Sequence, residues 1–357
     1  MDVDVIVFEQ RRQALKESLR ARGLPALLVS HAANRWYLSG FELADSQCNE
    51  SAGWLVITAH GGDTLLTDPR FEEAARRVWP DEIVIYSSRK MEVVGAFLKS
   101  LNPPALGFEP RSLCVRDYER LREFVALTPT EGLVEDLRVI KDADEIRRME
   151  ASCVLNERVM LALPERLVPG MTEAQASWEV ERLFREGGAS GLAFPTIVGA
   201  GVNAALPHAE PGQDRLPAQG LVLVDAGGRL DAYCSDQTRT FWLGSEPSDR
   251  FRHVLALVRE AQRRAIEYIR PGAPIAESYH LVRRFFEEHG VADRFTHGLG
   301  HGVGLETHEA PSLSSQSRDV FRPGMVVTVE PGLYWPDWGG VRWEHMVLVT
   351  EDGCRVL

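Results

Sequence analysis

Apolar and polar positions follow a helical rhythm at the start of this chain and a strand rhythm soon after. From Glu9 to Arg22 the apolar spacing fits one face of a helix, which Gly23 and Pro25 stop. The run ALLVS, Ala26 to Ser30, predicts a buried strand. WLVIT and TLLT, separated by Gly61, Gly62 and Asp63, predict a hairpin. Helix-like FEEAARRVW, strand-like EIVIYS, a helical stretch from Met91 and strand-like ALGFE then alternate. The alternation predicts a small α/β domain over residues 1–135.

The regularity lapses between Glu131 and Lys141. Asp142 with Glu145 then forms a capping-box signature that opens a long helix, EIRRMEASCVLNERVMLAL. A second domain, residues 136–357, is expected from here. It carries an internal repeat at an offset of 102 residues: ERLVPGMTEAQASWEVERLFREGG aligns with EYIRPGAPIAESYHLVRRFFEEHG, with nine identities over 24 positions. Glu165, Pro169, Gly170 and Phe184, for example, fall on Glu267, Pro271, Gly272 and Phe286.

Each repeat unit is followed by a strand-turn-strand stretch with two carboxylates, which strengthens the case for duplication. Asp225 and Asp236 are 11 residues apart, and a turn centred between Leu230 and Asp231 would set them directly opposite each other. Glu330 and Glu344 are 14 apart and face each other if the turn centres on Asp337. Facing like charges destabilise a ladder unless a cation lies between them. Two such pairs in one duplicated domain point to a shared cationic centre of one or two divalent ions. A further ligand is expected from HGLGHGVGLETHE, where His297, His301 and His308 stand among four glycines that let the main chain pass close to a ligand. The residues alone do not choose among these histidines. The segment has neither the GxGxxG order of a dinucleotide site nor the HExxH pattern of a zinc-protease helix.

Composition narrows the class. The chain has 357 residues, 44% hydrophobic and 26% charged, which is ordinary globular usage and allows two domains. Its net charge of -12 removes the electrostatic drive for nucleic-acid binding. No apolar run approaches membrane-spanning length, and the acidic start MDVDVIVFEQ is unlike a secretory signal, so no membrane and a cytoplasmic address are expected. Cys48, Cys114, Cys153, Cys234 and Cys354 are odd in number, scattered and without a CxxC pair, and are read as structural thiols.

As a set, NRWYLSGF, LLTDPR, LRVIKDADEI, FPTIVGAGVNAALPH, VDAGGRLDAYCSDQTRT, HGLGHGVGLETHE, TVEPGLY and GGVRWE resemble the metallopeptidases of the creatinase and aminopeptidase type, and within them the Xaa-Pro branch, aminopeptidase P and prolidase. The resemblance implies an α/β (α+β) fold with a creatinase-like N-terminal domain and a pseudo-twofold pita-bread catalytic domain. It implies a dinuclear site with Asp225, Asp236, His301, Glu330 and Glu344 as ligands, and thereby selects His301. Mn(II) suits a site of one imidazole among carboxylate oxygens, with Co(II), Fe(II) and Zn(II) as alternatives. Glu330 would also move the proton of the attacking water to the leaving nitrogen, and His308 would hydrogen-bond the scissile carbonyl. His208 and His297 would contact substrate around proline, Arg342 would orient the bridging carboxylate or hold substrate, and Tyr334 would support or contact it.

The implied substrate is a small peptide with proline after the scissile bond, and the implied assembly is a homodimer. Trp36 and Tyr37 are expected in the core of the first domain. Two departures stand out: Ser312 occupies a position where an arginine is usual after HExP, and His345 follows the last ligand where the branch often has Asp. The second suggests a methionine-aminopeptidase-like exopeptidase as an alternative, and a non-catalytic binding protein on the same fold is another. The intact set of five ligand positions argues against the latter. The choice between dipeptides and longer peptides leans towards dipeptides.

Overall fold

The computed structural model describes residues 3–45 and 50–357; Cys48 lies outside them. The other four cysteines are free thiols. The chain divides into two compact units, Met1–Arg138 and Val139–Leu357.

In the first unit α1 (Val3–Ala21) precedes β1 (Ala26–Val29), α2 (Ala32–Ser39) and the hairpin of β2 (Gly53–Thr58) and β3 (Thr64–Thr67). Then follow α3 (Glu72–Val78), β4 (Glu82–Ile85), α4 (Lys90–Ser100), β5 (Leu106–Phe108), α5 (Val115–Leu121) and β6 (Leu127–Pro129). The sheet order is β4-β3-β2-β1-β5-β6, antiparallel at its centre and parallel at both edges. Leu28, Val56, Leu66, Leu98 and Phe108 form part of the core beside it. Tyr37 is buried under the Arg11 guanidinium, 4.2 Å from its ring centroid, and the partly buried Trp36 packs edge-on against Phe8. Both are therefore packing residues of this unit.

The short α6 (Glu135–Val139) spans the boundary, and α7 (Ala143–Ala162) opens with both bonds of the capping box between Asp142 and Glu145. The duplication extends to the boundaries of the helices. α8 (Glu173–Glu186) and α10 (Ile275–Glu288) start and stop 102 residues apart, and α7 and α9 (Asp249–Tyr268) start and stop 106 apart. Even the entry into each pair matches: Gly170 and Gly272 both have positive φ, and their N–H groups donate to Leu216 O and Phe321 O.

The first half contributes β7 (Gly191–Leu192), β8 (Ile197–Ala200), β9 (Gly220–Ala226), β10 (Gly228–Leu230), β11 (Tyr233–Cys234) and β12 (Gln237–Leu243). The second contributes β13 (Gly300–Gly302), β14 (Glu309–Leu313), β15 (Val326–Val329), β16 (Gly332–Trp335), β17 (Gly339–Arg342), β18 (His345–Val349) and β19 (Cys354–Val356). Strand alternation aims the carboxylates. Val222, Val224 and Ala226 of β9 join the core under α7 and α8, while Leu221 and Leu223 join the core under α9 and α10. Asp225 continues the second set. On β15, Val327 and Val329 enter the core, so Thr328 and Glu330 take the opposite face.

The second hairpin pairs about Asp337, with Gly332 opposite Arg342 and Val329 opposite His345, and this sets Glu330 across from Glu344 as the spacing predicts. The first hairpin differs from expectation. Asp225 pairs with Thr238, not Asp236, because the turn falls on Asp231 and Ala232, one residue later than anticipated. A two-residue hairpin turn of this kind needs both central residues at positive φ, and these have 47° and 75°. Asp231 is central in either register and tolerates that region, and the second place is taken by Ala232, leaving Leu230 paired with Tyr233. Asp236 thus lies diagonal to Asp225 on the same face, still within reach of it.

Ala232 is strained at this φ. Ala232→Gly is expected to stabilise the protein by about 0.5–1 kcal/mol, seen as a Tm about 1–4 °C higher in calorimetry of matched preparations. An unchanged or lower Tm would contradict the strained turn.

Candidate metal centre

The two hairpins meet edge to edge. Glu344 N–H donates to Thr238 O, and Arg342 N–H and O bond Thr240 Oγ1, so the carboxylates of both halves converge. Oxygens of Asp225, Asp236 and Glu344, all buried, lie within 4.8 Å of one another. Asp225 Oδ1 and Glu344 Oε1 have no hydrogen-bond partner. Glu330 follows β15, with its N–H on Leu299 O.

His301 completes the cluster from the middle of β13. Its Nδ1 lies 3.1 Å from Gly302 O and must donate to it, which leaves the Nε2 lone pair aimed at Glu330 Oε1 (3.4 Å) and Asp236 Oδ2 (3.7 Å). Burial, with His308 nearby, pushes its pKa down to about 4, so the ring is neutral at pH 7. Lone pairs facing carboxylate oxygens repel unless a cation or a proton lies between them. Unpartnered buried oxygens, a bare imidazole nitrogen and an oxygen-rich donor set therefore fit divalent metal ions. Gly300 and Gly302 permit the approach, because a Cβ there would collide with the main chain of Thr328 and Ala310.

Two threonines that sequence reasoning missed orient the carboxylates. Thr238 Oγ1 donates to Glu344 Oε2 at 2.8 Å, and Thr328 Oγ1 donates to Glu330 Oε1 at 3.2 Å while accepting the His301 N–H. The available signal was strand period: each lies two residues from a carboxylate, on the same face.

Arg342 reaches the centre by a route its sequence position does not suggest. Its Nη2 pairs with Asp225 Oδ2 at 2.7 Å and its Nε donates to Thr238 Oγ1, so it bears on Glu344 only through that hydroxyl. Nη1 donates to Tyr334 Oη and Pro207 O. Arginine only donates, so Tyr334 O–H is directed onward to His297 Nε2 at 2.9 Å, and His297 Nδ1–H to Gly298 O. Both nitrogens of His297 are thereby engaged, and Tyr334 is buried with its hydroxyl committed. Burial raises the Tyr334 pKa to about 12 and lowers that of His297 to about 4.

A cleft of about 550 Å³ opens over the centre. Phe194, Pro195, Pro207 and Pro211 give it an apolar wall, and His208, His308 and Ser312 also line it. His308 is exposed, with its ring 4.2 Å from that of His301; desolvation and His208 hold its pKa below the ordinary value. His345 points away: Arg239 and Gln262 bond its two nitrogens on the other side of the strand.

Metallopeptidase family M24 matches residues 147–351, and the Creatinase/Prolidase N-terminal domain matches residues 11–140. The chain belongs to metallopeptidase family M24 and is an enzyme of that class. It is 32% identical to the Xaa-Pro dipeptidase of Pyrococcus furiosus over 98% of both chains. Among solved structures it resembles the Xaa-Pro dipeptidase from Bacillus anthracis (TM-score 0.90, 34% identity, 98% and 97% of the two chains). It also resembles the X-Pro aminopeptidase from Thermotoga maritima (TM-score 0.84, 29% identity, 95% and 97%). No helix of the described residues is long and apolar enough to cross a membrane.

Burial raises the pKa of Glu330 from 4.5 to about 7, and burial with neighbouring carboxylates raises those of Asp236 and Glu344. A carboxyl whose folded pKa is raised stabilises the metal-free fold below its unfolded pKa, and that contribution is lost as pH rises through the folded value. The metal-free protein is therefore expected to lose stability between pH about 4.5 and 7, and saturating Mn(II) to counter that loss. Thermal melts with EDTA and with Mn(II) across this window check it; parallel pH profiles would count against proton competition at the centre.

Proposed function

We propose that this chain is an Xaa-Pro peptidase that hydrolyses the bond before proline in dipeptides or at the N-terminus of short peptides. The observation that carries the reading is the convergence of two carboxylate pairs from duplicated hairpins on the bare Nε2 of His301, at the floor of a cleft with an apolar wall. The similarity to an Xaa-Pro dipeptidase over 98% of the chain supports it. In this reading the domains are residues 1–135 and 136–357, and the working form is a cytoplasmic homodimer.

Asp225, Asp236, His301, Glu330 and Glu344 would hold two divalent ions, with Mn(II) the best match to the donors and Co(II), Zn(II) or Fe(II) as alternatives. Bound there, such ions acidify water and polarise the scissile carbonyl. Glu330 takes the proton of the attacking water. Thr328 occupies Oε1, which leaves Oε2 to receive that proton and deliver it to the prolyl nitrogen. His308, neutral at pH 7, donates an N–H to the carbonyl oxygen as charge develops there. His208 on the same rim binds substrate, and the wall of Phe194 and three prolines packs the pyrrolidine ring. Arg342, Tyr334 and His297 act as one donor chain that fixes Asp225 and the cleft floor.

Glu330→Gln is expected to lower kcat on Ala-Pro at least about 100-fold in a protein that melts normally. His308→Ala is expected to lower kcat about 100-fold while bound Mn(II), measured by elemental analysis, stays at the wild-type level. Near-normal turnover of Glu330→Gln would remove it from proton transfer, and parallel loss of metal and turnover in His308→Ala would make it a ligand. From the similarity to an Xaa-Pro dipeptidase, Ala-Pro is expected to be hydrolysed faster than Ala-Pro-Ala; the reverse order would indicate aminopeptidase P specificity.

A further inference from the structure

The duplication carries a feature beyond the four carboxylates. Asn156 on α7 and Gln262 on α9 are 106 residues apart, the same offset that relates the two helices. Both are buried, at 1% and 4% exposure, and both spend a carboxamide NH2 on the strands behind the centre. Asn156 Nδ2 donates to Ala226 O (2.8 Å), next to Asp225, and to Ser235 Oγ (3.3 Å), next to Asp236. Gln262 Nε2 donates to Val329 O (2.8 Å), next to Glu330, and to Trp343 O (3.1 Å), next to Glu344. Each amide thus bridges the two chain segments that carry its own half's carboxylates, one residue from each.

We propose that Asn156 and Gln262 are paired positioning residues, each setting the separation of the two metal-binding carboxylates in its half of the domain. Asn156 Oδ1 is buried without a partner, so the residue keeps an unmet acceptor that leucine of similar size would not have. That cost is intelligible if the N–H donors are what the position requires. Turning the amide over would set its oxygen against Ala226 O.

The Gln262 amide is oriented further. Arg239 can only donate, so His345 Nε2 accepts from its Nη2 at 2.9 Å, and His345 Nδ1–H then donates to Gln262 Oε1 at 3.2 Å. Arg239 Nη1 also donates to Glu344 O and Thr238 O. The histidine that departs from the branch pattern is in this way the link between an arginine and a glutamine that both hold the main chain at Glu344. Its role here rests on hydrogen-bond direction, with the ring neutral.

The inference rests on the metal-site reading above, and the test separates the two. Mn(II) titrations by calorimetry on the full-length protein, with melts of the metal-free form, are compared for wild type, Gln262→Met and Asn156→Leu, which remove the donors at nearly constant volume. Each variant is expected to bind Mn(II) about 10–100-fold more weakly. Asn156→Leu is expected to leave the metal-free Tm unchanged or higher, opposite to its effect on metal. If Gln262→Met does not fold, Gln262→Asn, which keeps both donors on an arm too short to span the strands, is expected to weaken Mn(II) binding in the same direction. Variants with wild-type Mn(II) affinity and lower Tm would make these residues packing groups and overturn the proposal. Weakening in only one of them would overturn the pairing. A wild type that binds no Mn(II) would instead bring down the metallopeptidase reading, and this proposal with it.

Discussion

Four carboxylates at one junction, three of them buried and Glu330 partly so, repel one another, and the register of two antiparallel hairpins prevents them from separating. The pairing about Asp337 sets Glu330 against Glu344, and the turn at Asp231 and Ala232 sets Asp236 diagonal to Asp225. In a low-dielectric site such an arrangement is costly unless protons or cations reside there. The raised pKa values of Asp236, Glu330 and Glu344 express that cost, and the unpartnered oxygens of Asp225 and Glu344 mark where a counter-charge belongs.

The surrounding hydrogen bonds manage the same tension without cancelling it. One buried guanidinium, Arg342, is directed at Asp225 and, through hydroxyls, at Glu344 and His297. Because arginine can only donate, proton direction along both branches is settled, and both nitrogens of His297 are engaged where its ring lines the cleft. His301 is treated differently: its outer nitrogen is tied to Gly302 O, and its inner nitrogen is left bare. The difference between the bare Nε2 of His301 and the fully engaged ring of His297 thus comes from which neighbour each ring meets.

Much of the organisation was legible in the residues. Turn chemistry at Gly61 to Asp63, the capping box at Asp142 and the 102-residue repeat are local signals, and the elements they predict form with nearly those limits. Four carboxylates could be drawn together by strand period and spacing alone. Spacing alone places the first turn one residue early, because it does not reveal which two residues take positive φ. Thr238 and Thr328 do not stand out in the sequence, because a hydroxyl two residues from a carboxylate is common in strands.

Sequence by itself determined what is local or periodic: the order of elements, the duplication, the facing of Glu330 and Glu344, and the family to which the motifs belong. Tertiary structure decided what depends on contacts between distant segments. It selected which imidazole nitrogen is free, sent Arg342 across to Asp225, 117 residues away, and placed His345 behind the centre with Arg239 and Gln262. Strand period says which face a side chain takes, but the partner on that face is supplied by another part of the chain. Only the folded pairing of the two halves brings that partner within hydrogen-bonding distance.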